Sequence, residues 1–213
     1  MTSKQNKIVL LGGGGHAKVL IDLINTSGQF EIFGILDPQL QIGTTLLNVP
    51  VLGDDNLLPG IYSKGIKNVC IAVGSVKDTT RRRVLFDTVK QTGFLVPYLQ
   101  HPQAIIVSKN VYFSDGVQIM AGVTVQTDSR FRENTIVNTG AIIEHDCDIG
   151  SHVHICPGVL ISGGCTVGDG TFIGAGATII QGINIGECVT VAAGAVVVRD
   201  VPDRTMVKGI PAA

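Results

Sequence analysis

The sequence contains no tryptophan, and aromatic residues make up only 5% of it. Charged residues are scarce too, at 15%, against about 25% in an ordinary soluble domain. The net charge is −1, so there is no basic footprint for nucleic acid. No apolar run approaches the roughly 18 residues of a membrane-crossing helix. The short apolar stretch in "MTSKQNKIVLLGGGG" ends in glycines rather than a small-residue cleavage site, so it reads as a first strand and not a signal peptide. The five cysteines, Cys70, Cys147, Cys156, Cys165 and Cys188, are an odd number and lack CxxC spacing. They read as reduced, buried thiols in a cytoplasmic protein. What abounds is glycine, 27 of 213 residues, in a 45% hydrophobic composition. Such a chain suits a tightly wound β architecture better than a helical bundle.

The chain falls into two parts with different periods. Residues 1–100 alternate strands and helices. "KIVLLGGGG" is a strand running into a glycine turn. "HAKVLIDLINTSG" carries an apolar stripe at Val19, Leu20, Leu23 and Ile24, with Gly28 placed to end the helix. "FEIFGILD" and "NVCIAVGS" are further strands, ending at Asp37-Pro38 and Gly74. "DTTRRRVLFDTVKQTG" is a helix that Asp78 or Thr79 can cap and Gly93 can end. This order implies a small parallel sheet covered by helices, a Rossmann-like α/β unit.

Residues 101–213 keep a period of six. From Val107 through Phe113, Ile119 and Val125 to Val191 and Val197, every sixth residue is apolar. The position four further on is small or apolar throughout, as at Ser129, Ala141, Cys147 and Ala177. A six-residue period fits neither an amphipathic helix nor hairpins. It is the signature of a parallel β-helix of hexapeptide repeats. Three hexapeptides make a triangular coil, which gives about five coils here.

One hexad stands out. In "NTGAIIEHDCDIGSHVHICPG", the phase points Ile143 and Cys147 inward and leaves His145 facing out. A histidine, with an ordinary pKa of about 6.5, suits proton removal at neutral pH. A carboxylate on its other ring nitrogen fixes the tautomer and stabilises the imidazolium. Asp146 is adjacent. Cys147 invites a nucleophile reading, but its inward phase opposes it. His152 reads as an ordinary polar surface residue. The histidine spacings do not converge on one face, so no metal site is expected. In the glycine turn, Gly12, Gly14 and Ala17 match G-x-G-x-x-A, and Asp37 follows at the end of the next strand, as in a dinucleotide fold. Backbone N–H groups at a helix start attract any phosphate, and about 100 residues is short for a two-half dinucleotide domain. Lys18 either assists those phosphates or is a solvated surface residue.

"GGGGHAKV" after the first strand, "IIEHDCDIG" and "HVHICPG" in the repeat, and "VKGIPA" at the end together resemble the sugar acyltransferases of the sialic acid O-acetyltransferase NeuD family. These include N-acetyltransferases of nucleotide-linked 4-amino sugars of the bacillosamine and perosamine type. The resemblance covers essentially the whole chain. It implies a left-handed β-helix at residues 101–213 following a nucleotide-sugar-binding unit at residues 1–100. It also implies a homotrimer with active sites between subunits, and acetyl-CoA as cosubstrate. His145 would be the general base and Asp146 the residue that raises its basicity, where many relatives have Glu. His154 would contact the acetyl group, and Gly163, Ala175 and Ala193 would line the CoA channel. Asn138 would sit near the acceptor sugar. Gly14, Gly15, His16, Asp37, Pro38 and Gly74 would hold the nucleotide-sugar. The "VKGIPAA" end would border the pantetheine arm, or plug the coil stack. The expected activity is N-acetylation of a UDP- or GDP-linked amino sugar in surface glycan (polysaccharide) synthesis. O-acetylation of sialic acid or another sugar is the alternative, and a scaffold without catalysis is the non-enzymatic one.

Overall fold

The structure is a computed structural model that describes residues 6–74 and 79–213. The chain divides into two compact units. One reaches to Gly74 and resumes over Arg81–Leu99; the other includes Gln100–Ala213.

The main elements of the first unit are β1 (Lys7–Leu11), α1 (Gly15–Ser27), β2 (Glu31–Leu36), β3 (Thr45–Leu46), β4 (Val49–Gly53), α2 (Leu58–Ser63), β5 (Asn68–Ile71) and α3 (Thr80–Gln91). Ile8, Val9, Leu10 and Leu11 are all buried, as befits a central strand covered on both faces. The sheet order is β3-β4-β2-β1-β5. It is parallel except for β3, which runs antiparallel to β4. The expected small parallel sheet is present, with an antiparallel hairpin added at its edge. Its turn residues Leu47 and Asn48 both have positive φ, 47° and 65°, the pattern of a tight hairpin turn. Leucine gives no turn signal, so the sequence hides it. Helix α1 buries Ala17, Leu20, Ile21 and Ile24, one helical stripe, while Val19 is 44% exposed. Gly28 ends α1 in left-handed backbone and donates its N–H to the Ile24 carbonyl. Phe86 and Val89 of α3 join Val9, Leu11, Leu36 and Ile71 in the core. Asp78, a candidate cap for α3, lies outside the described residues.

In the second unit two-residue strands stack into three all-parallel sheets, one per face. On the first face Val125 stands beside Ile143, Ile143 beside Ile161 and Ile161 beside Ile179. The second face carries Phe131, Ile149, Val167 and Ile185. The third carries Ile119, Val137, Ile155, Ile173 and Val191. All these side chains are buried. The uninterrupted six-residue phase needs one correction. Ile106, not Val107, stands beside Val125, and Val107 is 54% exposed. One extra residue therefore lies before the Phe113 strand. At the chain's end, Met206–Val207 pairs with Thr190–Val191, and Ala212 donates its N–H to the Val196 carbonyl.

The corners from Gly116 to Gly194 each turn on one left-handed residue. From Gly116 to Gly194 every sixth residue has positive φ. Most are glycine, which adopts this backbone freely. Asp128, Asn134, Asp146, His152 and Cys188 are the exceptions in that run.

Candidate active site

The strands Ile142–Ile143 and Asp148–Ile149 lie on the first and second faces. Glu144, His145, Asp146 and Cys147 form the corner between them. Extended backbone sends neighbouring side chains to opposite sides. The left-handed backbone at Asp146, φ 58°, instead brings its carboxylate alongside the preceding ring. His145 Nδ1 is 2.7 Å from Asp146 Oδ2, and the two side chains are 50% and 64% exposed. A carboxylate can only accept, so in the neutral ring Nδ1 carries the proton and Nε2 keeps its lone pair. Asp, with its short arm, is among the residues most tolerant of this backbone. Its reach is sufficient.

Gly163 occupies the matching corner of the next coil. A Cβ there would stand 2.6 Å from both Cε1 and Nε2 of His145. Gly163 is not among the positive-φ glycines, so its role is to leave room for the imidazole. Cys147 points inward, is 1% exposed, and donates its thiol hydrogen to the Ser162 carbonyl at 3.4 Å. The neighbouring Cys165 thiol, together with burial, pushes the pKa of Cys147 far above the ordinary thiol value. Buried and turned into the coil, it is not placed to meet a substrate as a nucleophile.

The other candidates on the β-helix lie elsewhere on it. His154 belongs to the third face. It is buried, with its ring edge-on to Phe172 at 5.4 Å. Asn138, Ala175 and Ala193 lie at corners between the third and first faces, and the two alanines are exposed. So Asn138, His154, Ala175 and Ala193 form one group, and His145, Asp146 and Gly163 another. A single chain does not bring the two groups together. His152, expected at the surface, is 6% exposed, with Nδ1 2.9 Å from Asn134 Nδ2. Asn134 at the same corner of the preceding coil covers the ring. Among the described residues, no group of three or more His, Cys, Asp or Glu is placed to hold a metal ion.

In the first unit, the remaining candidates gather at the carboxyl ends of β1, β2 and β5, where open α/β sheets bind ligands. Gly14 is the N-cap of α1, offers no side-chain cap, and no acidic residue follows in the first turn. The leading N–H groups are thus left facing solvent or an anion. A Cβ on Gly14 or Gly15 would meet nothing within 4 Å, so a ligand can approach the backbone directly. Gly12 needs glycine for both conformation and space: its φ is 107°, and a Cβ would press on Val73. Asp37 uses both carboxylate oxygens on the turn. Oδ2 accepts the Gly13 N–H at 2.7 Å and Oδ1 the Gln39 N–H at 2.8 Å. A Cβ on Gly74 would lie 3.4 Å from that of His16, so these two residues adjoin. Pro38 and Lys18 are exposed.

Arg82, which no motif pointed to, is 2% exposed and donates from Nη1 to the carbonyls of Ile71 (2.6 Å) and Val73 (3.0 Å). It holds the chain where β5 leads to Gly74. Burial lowers its pKa to about 10, so it stays charged at neutral pH. A cavity of about 640 Å³ lined by Lys7, Phe33, Lys67 and Leu95 lies at the opposite, amino ends of β1 and β5, away from these residues. No helix among the described residues is long and apolar enough to cross a membrane.

A stack of hexapeptide coils with an exposed histidine–carboxylate pair at one corner suits acyl transfer from an already activated donor. That places the molecule among the hexapeptide-repeat acyltransferases. Comparison with known proteins narrows the class. Residues 7–88 match the PglD N-terminal domain family. The chain is similar to PerB from Caulobacter crescentus, solved with CoA and GDP-perosamine, at 38% identity and a TM-score of 0.89, over 97% of this chain and 96% of that one. It is similar to the acetyltransferase domain of PglB from Neisseria gonorrhoeae, solved with acetyl coenzyme A, at 35% identity and a TM-score of 0.91, over 98% of each chain. WeeI from Acinetobacter baumannii shares the fold, at 24% identity and a TM-score of 0.81, over 97% of this chain and 98% of that one. A search of curated proteins gives no match. The chain belongs to the NeuD/PglD-type sugar acetyltransferases, with a left-handed parallel β-helix as its C-terminal unit.

Proposed function

We propose that this protein transfers the acetyl group of acetyl-CoA to the amine of a nucleotide-linked 4-amino sugar. The observation that carries the reading is the exposed His145–Asp146 pair, with Nδ1 committed to the carboxylate and Nε2 left as a base. The sugar nitrogen attacks the thioester carbonyl while His145 Nε2 takes its proton. Asp146 stabilises the imidazolium, and a backbone N–H stabilises the tetrahedral oxyanion. The carbon–sulfur bond then breaks, and the leaving CoA sulfur recovers the proton. No acyl-enzyme is needed.

His154, Gly163, Ala175 and Ala193 are assigned to acetyl-CoA and Asn138 to the acceptor sugar. Residues 1–100 are assigned to the nucleotide-sugar, with Gly14, Gly15, His16, Asp37, Pro38 and Gly74 around it, and residues 101–213 to transfer. The open N–H groups of α1 favour a diphosphate. Asp37, occupied by the turn, favours a phosphate-binding role over the ribose clamp of a dinucleotide enzyme. The separation of the two residue groups supports a homotrimer in which neighbouring copies complete each site. Free cysteines throughout suit the cytoplasm, where thiols stay reduced. The product suits surface glycan synthesis.

The test is CoA thiol release from acetyl-CoA with UDP-4-amino, GDP-4-amino and sialic acid acceptors. Release with an amino-sugar nucleotide is expected, falling by about 100- to 10,000-fold in His145→Ala. Release with sialic acid alone, or near-normal turnover in His145→Ala, would overturn the reading.

A further inference from the structure

Ser129 is fully buried and no motif draws attention to it. Its hydroxyl donates to the Glu144 carbonyl at 2.9 Å, and the same oxygen accepts the Cys147 N–H at 3.1 Å. One hydroxyl from the preceding coil therefore ties together the two peptide groups that enclose His145 and Asp146. We infer that Ser129 is a positioning residue for the His145–Asp146 pair, acting through the backbone of their corner. The inference rests on His145 being the base.

The brace recurs at two other corners. Thr135 donates to the Gly150 carbonyl (2.8 Å) and accepts the Val153 N–H (3.1 Å), across the corner of His152. Thr171 does the same with Gly186 (2.8 Å) and Val189 (3.0 Å), across the corner of Cys188. Asp146, His152 and Cys188 all carry a side chain in left-handed backbone. At the glycine corners Gly140, Gly158 and Gly176, the corresponding residues are Val123, Ala141 and Val159, which have no hydroxyl. The backbone alone does not demand the brace for an acidic or amide residue. Asp128 and Asn134 adopt it with Val111 and Val117 at that place. What Ser129 adds is a fixed corner. The side chains of His145 and Asp146 are half or more exposed, so the backbone that carries the bonded pair does much to set where Nε2 points. Misplacing a reacting group by about 1 Å can lower a rate on the order of 100-fold.

The experiment compares Ser129→Ala, Ser129→Thr and Thr171→Ala with His145→Ala in the thiol-release assay, alongside thermal melts. Ser129→Ala is expected to lower kcat on the order of 10- to 100-fold, with little change in the KM for acetyl-CoA. Ser129→Thr keeps the hydroxyl and restores turnover. Thr171→Ala removes the same brace from a corner without the pair. It lowers the melting temperature comparably and keeps kcat. If Ser129→Ala does not fold, Ser129→Cys is read in its place. A thiol there can donate to the carbonyl, as Cys147 and Cys165 do in later coils, but accepts the N–H weakly. Loss of thermal stability with unchanged kcat would overturn the positioning role. Near-normal turnover in His145→Ala would instead overturn the base assignment itself. An inactive His145→Ala with an unimpaired Ser129→Ala or Ser129→Cys would remove only the role of Ser129.

Discussion

At Asp146 a non-glycine residue holds left-handed backbone, where Gly164 and Gly182 stand in the following coils. Such a conformation costs about 1–3 kcal/mol for a residue with a side chain. Asp146→Gly is therefore expected to raise the unfolding free energy by about 1 kcal/mol while lowering kcat, as read by denaturant titration and turnover. Asp146→Asn keeps an oxygen for the Nδ1 proton but loses the charge opposite the imidazolium. It should lower kcat less than His145→Ala does. Gly163→Ala should act on His145 from below. The added methyl would occupy the imidazole's place, displace the ring and lower kcat on the order of 100-fold, with a folded protein by circular dichroism. His145 was legible in the sequence because an ionisable group at an outward phase stands out from an aliphatic repeat. The steric role of Gly163 was not legible, because it depends on which ring lies above it in the preceding coil.

At the scale of elements, Arg82 shows what periodicity leaves out. In "TRRRVLF" it looks like one of three solvated arginines, yet α3 turns it inward onto the end of β5. Replacing it with leucine would leave buried carbonyls unpaired, which should cost about 2–4 kcal/mol. A urea melt measures this. The looser Gly74 strand end should then raise the KM for the nucleotide-sugar more than the KM for acetyl-CoA. The β3–β4 hairpin and the residue inserted after Ile106 were also unreadable. Leu47-Asn48 lacks a glycine turn signal, and Val107 is itself aliphatic, so its exposure left no mark on the six-residue pattern. The helices, the central strands and almost every inward position of the coils were readable, because burial imposes a regular phase on the chain.

At the scale of the whole molecule, His145 and His154 belong to different parts of one prism. If the homotrimer joins the first histidine of one copy to the second of its neighbour, two inactive variants should rescue each other. Unfolding and refolding His145→Ala together with His154→Ala should restore thiol release, because mixed trimers contain some intact interfaces. No rescue in mixed trimers verified by mass would argue against a shared site. The sequence by itself determined the α/β unit, the coil period, the outward histidine with its neighbouring carboxylate, and the glycine turn at the start of the first helix. Each of these follows from residues close together in the chain, through local backbone preference and the alternation of buried and exposed positions. Only the tertiary structure decided that Gly163 makes room for the imidazole, that Ser129 ties the corner, that Arg82 is buried, and that the candidate residues separate into two groups. Those facts depend on which residues successive coils and packed helices bring into register, and that proximity is set by closure of the fold rather than by the local pattern.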